Sequence, residues 1–356
     1  MIRQRVQRIQ DRLEHGQAAL ITTLPNRFYL TGFETSAGSV LITKDAAYFR
    51  IDFRYVEKAK QTVNSCEVIL SDYSDAELGQ LCKKHGVTTL FVETEDVSIA
   101  RFAELREHLS DIDLPAQNEL SRLLKDLRCI KSPEELDRIR KAQKLTDDTF
   151  SYILSRIEAG RTERDVMLDM EFYMRRLGSE GVSFDFIVVS GKNSSLPHGV
   201  PTDKKIEKGD FLTMDFGAIV DGYHSDMTRT VAVGYVSEEQ KKVYETVLQA
   251  QTAGIAAVKP GVICSDVDKV SRDLIYAAGY EGCFGHGLGH SVGVEIHESP
   301  RFSPACRTVL QEGTIMTVEP GIYLENKFGV RIEDMVYVTK DGCIDLTESE
   351  HGLIVL

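Results

Sequence analysis

The sequence predicts two domains, an α/β domain followed by an α+β domain built from two copies of one unit. Three observations carry that prediction. At 356 residues and 39.8 kDa the chain is longer than one hydrophobic core usually organises. Up to about residue 124, short β-branched runs alternate with amphipathic helical ones. Beyond residue 131, a pattern of long helix, glycine, short helix, glycine occurs twice: Gly160 to Gly178 and Gly261 to Gly279 each span 18 residues, about 101 residues apart.

In the first domain, residues 1–124, the strand-like runs AALITT, SVLITKDAAYFRI, CEVIL and TTLFVET are interleaved with the helix-like runs RYVEKAKQTV, DAELGQLCKKHG and SIARFAELREHL. The domain holds no G-x-G-x-x-G or G-x-x-x-x-G-K, so a nucleotide site has no support there. The boundary falls in the basic stretch from Leu124 to Lys131. The second domain, residues 131–356, opens at Ser132-Pro133-Glu134-Glu135, which supplies an N-cap, an N1 proline and the N3 acid of a capping box. That helix is expected to reach Gly160, and a second to run from Thr162 to about Gly178. Ser237-Glu238-Glu239-Gln240 starts the next, which stops at Lys259-Pro260-Gly261, and Ser265 starts a shorter one ending at Gly279. After each helix pair come one histidine and two strands bearing carboxylates, so two facing halves would surround a shared cleft.

The composition excludes several classes. With 55 acidic against 42 basic residues, the net charge of −13 argues against nucleic acid or an anionic membrane as partner. No stretch reaches the roughly 18 apolar residues of a membrane span, and the first twenty residues lack the apolar core of a secretory signal. Seven scattered cysteines with no C-x-x-C pair fit reduced thiols, and hence a cytoplasmic protein without a cysteine zinc site.

Asp221-Gly222 in FLTMDFGAIVDGYHSDMTRTVAV is the sequence's strongest hairpin signal, a two-residue type I′ turn. That turn sets the register: Asp215 faces Thr228 and Asp226 faces Gly217, so the two aspartates become diagonal neighbours on one face, roughly 7 to 8 Å apart at Cα. Glu319 and Glu333 are expected to repeat this geometry in the second half, with Arg331 on the strand face of Glu333. Four buried carboxylates repel one another, and cations between them remove that cost. In GHGLGHSVGVEIHESP, strand alternation would put His286, Leu288 and His290 on one side, and His297 joins them only after a bend at Gly293. One histidine with four carboxylates is a hard, oxygen-rich set. It suits two divalent ions such as Mn²⁺, about 3.5 to 4 Å apart, which generate a hydroxide nucleophile and polarise a carbonyl. Hydrolysis is the reaction class that follows.

With these residues in place, the chain resembles the pita-bread metallopeptidases, the group of Xaa-Pro dipeptidase (prolidase), Xaa-Pro aminopeptidase and methionine aminopeptidase. Residues 131–356 look like the internally duplicated catalytic domain, and residues 1–124, with NRFYLTGF and IDFRYVEKA, like the creatinase-type N-terminal domain. The family's five ligands match MDFG (Asp215), HSDMTRT (Asp226), GHGLGHSVG (His290), TVEPG (Glu319) and RIEDM (Glu333). The resemblance implies that Asp226 and Glu333 bridge two metals, Asp215 holds one, and His290 with Glu319 holds the other. Mn²⁺ is the expected ion, with Co²⁺ or Zn²⁺ as alternatives. It further implies Glu319 as proton shuttle, His198 and His297 as donors to the substrate, His286 as a further active-site histidine, and Arg331 as a brace beside Glu333. Arg301, four residues after His297, matches an arginine that in some prolidases grips the free carboxylate of a dipeptide. The expected reaction is hydrolysis of the Xaa-Pro imide bond in dipeptides by a metal-bridging hydroxide. Removal of the N-terminal residue from longer Xaa-Pro peptides is the alternative, a non-catalytic peptide-binding module the third reading, and a homodimer the expected assembly.

Overall fold

The computed structural model describes residues 2–356, which divide into two compact units, one ending at Arg128 and the other comprising Cys129–Leu356. In the first, Gln17–Ile21, Ser39–Thr43 and Ala47–Ile51 form an antiparallel meander, with Glu67–Leu70 and Thr89–Val92 added in parallel at its two edges. The run SVLITKDAAYFRI is thus a hairpin of two strands. Leu41, Leu78, Leu90 and Leu105 meet in the core between sheet and helices. Three helices go beyond the rhythm read from the sequence: Ile2–Arg12, Leu24–Thr31 and Glu119–Cys129. The last runs through the stretch Leu124 to Lys131, and the units divide within that stretch, after Arg128. Leu120, Leu124 and Arg128 lie on its buried face, Arg128 Nη1 donates to Asn26 Oδ1 (3.0 Å), and Tyr29 OH donates to the Leu127 carbonyl (2.8 Å), so the helix belongs to the first unit almost to its end.

In the second unit the helices Pro133–Leu154 and Glu163–Arg176 recur as Glu238–Ala257 and Cys264–Ala277. Capping boxes at Ser132/Glu135 and Ser237/Gln240 start the long member of each pair. The copies are tied alike, Gly160 N–H donating to the Ile206 carbonyl and Gly261 N–H to that of Leu310, both at 2.8 Å. Two expectations are corrected. The first long helix ends at Leu154 and not at Gly160, and the shorter helix starts at Cys264 behind Ile263, which has no capping side chain; the Ser265 hydroxyl accepts instead from Arg307 Nη1 (2.9 Å).

Each helix pair covers one face of a sheet. Met170 and Met174 pack with Leu212, Met214 and Val231 of a three-stranded sheet in the order Met227–Ala232, Phe211–Phe216, Ile187–Ser190. Val243, Val247 and Ile275 pack with Met316, Val318 and Val336 of a five-stranded one. Because strand side chains alternate, filling one face with these residues sends Thr213, Asp215, Thr228, Thr317, Glu319, Arg331 and Glu333 to the other. Among the described residues no helix is long and apolar enough to cross a membrane.

Candidate metal centre and peptide cleft

The first hairpin has the register its turn dictates. Asp221 and Gly222 both take positive φ, 48° and 71°, as type I′ requires, and Thr228 pairs with Asp215. Asp226 is therefore the diagonal neighbour of Asp215. The second hairpin differs from expectation. Leu324 pairs with Phe328 around Asn326 (φ 59°), and Val318 pairs with Asp334 further out. Glu319 and Glu333 are equidistant from Asn326, so they fall directly opposite each other and not diagonally, because this loop holds an odd number of residues.

The histidine segment also departs from simple alternation. Between His286 and His297 the one strand is Gly289–Ser291, and its register shifts between His290 and Ser291. Leu288 enters the helix-side core while His290 faces the carboxylates, so the two do not share a side. A Cβ on Gly289 would lie 2.0 Å from the Thr317 carbonyl oxygen; only glycine lets the strands approach this closely. The chain then bends through residues 293–297 and returns as Glu298–Phe302, bringing the rings of His290 and His297 to 4.5 Å.

All ten residues singled out in the sequence line one open cleft of about 690 Å³. Ligand atoms of Asp226, His290 and Glu333 lie within 4.8 Å of one another. His290 Nδ1–H donates to the Ser291 carbonyl (3.1 Å), which leaves the Nε2 lone pair facing Asp226 Oδ2 at 3.6 Å and Glu319 Oε1 at 3.4 Å. Burial, and then His297, lower the His290 pKa to about 3, so its ring is neutral. The Nε2 acceptor thus faces two carboxyl groups across gaps of 3.4 and 3.6 Å. Asp215 Oδ1 and Glu333 Oε1 are buried with no hydrogen-bond partner among the described residues. Unsatisfied buried oxygens around a neutral imidazole are what divalent cations satisfy, and the donor set fits them.

The remaining oxygens are oriented by neighbours. Thr228 Oγ1 donates to Glu333 Oε2 (2.8 Å), Thr317 Oγ1 to Glu319 Oε1 (3.1 Å), and Arg331 Nη2 to Asp215 Oδ2 (2.6 Å). Burial raises Asp226 and Glu333 well above the ordinary carboxylate range, and the other acids of the cluster add to it. Burial pushes Glu319 up to about 8 against the pull of Arg331. Burial alone would lower Arg331, but Tyr323, Asp215 and Glu319 outweigh it and raise it.

These shifts predict a pH dependence. Acids with folded-state pKa values above their unfolded ones bind more protons when folded, so the stability of metal-free protein falls as pH rises from about 4.5 to about 8, by on the order of several kcal/mol. Divalent ions replace those protons. The melting-temperature gap between metal-loaded and chelator-treated protein should therefore widen from about pH 5 to about pH 8; a constant or narrowing gap contradicts this electrostatic picture.

Tyr323 is a residue the sequence reading missed. Its hydroxyl accepts from Arg331 Nη1 (2.9 Å) and donates to His286 Nε2 (2.9 Å), while His286 Nδ1–H donates to the Gly287 carbonyl (2.8 Å). Burial, and then Arg331, push His286 down to about 4, consistent with this neutral ring. Both nitrogens of His286 are committed, so it braces Arg331 and does not present a free donor to the cleft. His198, His297 and Arg301 are exposed there, and Arg301 pairs across the strands with His290. Lys131 and Glu298 were missed as well. They form a buried ion pair (2.9 Å) in which Glu298 Oε1 also accepts from the Val294 (3.0 Å) and Glu295 (3.3 Å) N–H groups, bracing the bend between His290 and His297. In the sequence Lys131 is one basic residue among several, with nothing to mark its partner.

A duplicated α+β unit whose facing halves gather four carboxylates and a neutral histidine defines a metal-dependent hydrolase. Residues 137–340 match metallopeptidase family M24 and residues 5–130 match the creatinase/prolidase N-terminal domain. The chain belongs to metallopeptidase family M24, with the pita-bread fold and, by membership, a divalent-metal cofactor. It is 43% identical over 338 residues to the uncharacterized peptidase YqhT of Bacillus subtilis, covering 95% of each chain. The solved Xaa-Pro dipeptidase from Bacillus anthracis matches with a TM-score of 0.94 at 39% identity, covering 100% of this chain and 99% of that one. The X-Pro aminopeptidase from Thermotoga maritima matches with a TM-score of 0.90 at 35% identity, covering 98% and 100%.

Proposed function

We propose that the protein is a dinuclear-metal Xaa-Pro dipeptidase, with Asp226 and Glu333 shared between two Mn²⁺ ions, Asp215 on one, and His290 and Glu319 on the other. The observation that carries this reading is the convergence of Asp226, His290 and Glu333 around unsatisfied buried oxygens. When bound, the ions supply a hydroxide nucleophile at neutral pH and polarise the scissile carbonyl. The nitrogen of an Xaa-Pro bond bears no hydrogen, and the leaving proline must be given a proton. Glu319, steered by the Thr317 hydroxyl and lining the cleft, is the group suited to hold and deliver that proton. His198 and His297, exposed at the cleft, donate to the oxygen where charge develops.

Specificity rests on Arg301. As the cross-strand partner of His290 it stands within a dipeptide's length of the metal ligands, and a guanidinium there rewards a substrate that ends in a carboxylate at proline. Arg301→Ala is expected to raise KM for Xaa-Pro about 10- to 100-fold, on the order of 1.4 to 3 kcal/mol, with little effect on kcat. An unchanged KM removes this role. The close likeness to the Thermotoga maritima X-Pro aminopeptidase keeps a second reading, in which the substrate continues past proline; Arg301→Ala would then leave Xaa-Pro-Yaa cleavage as the faster reaction in both forms.

A further inference from the structure

Glu163 is a fully buried carboxylate at the start of the helix Glu163–Arg176, and it sits outside the ligand cluster. It gathers both ends of the segment that carries His198. At one end the Ser190 N–H (2.7 Å) and hydroxyl (3.0 Å) donate to Oε1; at the other the Thr202 N–H (3.0 Å) and hydroxyl (2.7 Å) donate to Oε2. Asn193 Nδ2 spans the two oxygens at 3.1 and 3.3 Å. A carboxylate is used here for its acceptor capacity, because two oxygens receive donors from both ends of one loop at once. Lys204 Nζ, donating to Ser190 Oγ (2.9 Å) and Asp210 Oδ2 (2.7 Å), brings positive charge beside the clamp.

At its tip the same loop has one tie to the active site. Arg331 Nη1 donates to the carbonyl of Pro197 (3.2 Å), the residue before His198, while Nη2 of the same guanidinium holds Asp215. His198 itself is exposed, as is Val200. An exposed imidazole on a loop keeps its place only through the loop's anchors. We propose that Glu163 is the positioning residue that sets His198 against the reacting carbonyl. This rests on the role given to His198 in the proposed function, and it adds a residue that never touches substrate.

The test uses the full-length, metal-loaded protein with Xaa-Pro dipeptide. Glu163→Gln keeps the volume but turns half of the clamp into a donor facing donors. The expected result is a kcat lower by about 10- to 100-fold, with KM within about threefold and the full metal content retained. In a His198→Ala background the same change should cost nothing further, since a displaced imidazole and a missing one are equivalent. A loss in kcat that persists without His198 overturns the proposal. If E163Q does not fold, Thr202→Val, which removes one donor to Glu163 together with the acceptor of the Lys204 N–H, carries the test: a kcat loss of about threefold that disappears with H198A supports it, and no loss overturns it. Amide hydrogen exchange reads the clamp independently of activity. Faster exchange confined to residues 190–202 supports it, and unchanged exchange there, or exchange that rises throughout the second unit, overturns it. Failure of the wild-type protein to cleave Xaa-Pro would sink the functional reading while this exchange measurement still decides the clamp.

Discussion

Asp226→Asn or Glu333→Gln is expected to lower kcat/KM by at least about 10³-fold and to leave the protein unable to hold two ions per chain, the scale of loss seen when a member of a catalytic unit is removed. Both residues are buried, at 4% and 1% exposure, and both bring a carboxylate oxygen within 4.8 Å of a ring nitrogen of His290. An amide retains one weak ligand oxygen and turns an NH₂ toward its neighbours. The same change relieves like-charge repulsion in the metal-free state, where burial and the neighbouring acids already hold the two carboxyls well above their ordinary range. Chelator-treated D226N should therefore melt no lower than chelator-treated wild type at about pH 8. Elemental analysis and steady-state kinetics give the first result, and thermal unfolding the second. Retention of two ions and of activity would contradict the shared-ligand assignment; a lower melting temperature would contradict the electrostatic account of the site.

Breaking the Lys131–Glu298 pair has the largest expected effect on stability. The two side chains are 1% and 3% exposed, and Lys131 Nζ also donates to Ser291 Oγ (3.2 Å), one residue from His290. Lys131→Met takes from the buried Glu298 carboxylate the cation it pairs with, and Glu298→Gln takes from the buried Lys131 ammonium this carboxylate. Each should cost about 3 to 5 kcal/mol in denaturant unfolding. The double change to Met and Leu should cost less than either single one, because both charges of the pair are then removed together. Single losses below about 1 kcal/mol would show that the bend carrying His297 does not depend on this pair.

Much of the site was legible because local chemistry dictates it. Asp221-Gly222 admits one tight turn, and that turn alone fixes which residues oppose Asp215 and Asp226. Ser132 and Ser237 announce their helices by capping boxes, and the glycines at 160, 178, 261 and 279 mark the repeat, all with positive φ. The four proposed carboxylate ligands stand out because acidic residues interrupt runs rich in apolar ones.

What was not legible depends on contacts distant in sequence. The relative placement of Glu319 and Glu333 turns on whether the loop around Asn326 holds an even or odd number of residues, which Pro320-Gly321 obscures. Leu288 breaks the alternation because the core takes it while the site takes His290. Tyr323, Glu163 and the Lys131–Glu298 pair act through partners up to 167 residues away, and no spacing rule reaches them. The helix Glu119–Cys129 reads as a basic linker until Asn26 and Tyr29 are seen to hold it.

Loaded with two divalent ions, this cleft is proposed to hydrolyse peptides that end at proline. The direct measurement strips the protein with chelator, restores Mn²⁺, counts the ions bound, and compares kcat/KM for Xaa-Pro and Xaa-Pro-Yaa. Two ions per chain are expected, with activity that vanishes on stripping and returns with Mn²⁺, and with faster cleavage of the dipeptide. Faster cleavage of the tripeptide, or dipeptide hydrolysis that survives removal of the metal, would contradict the proposal.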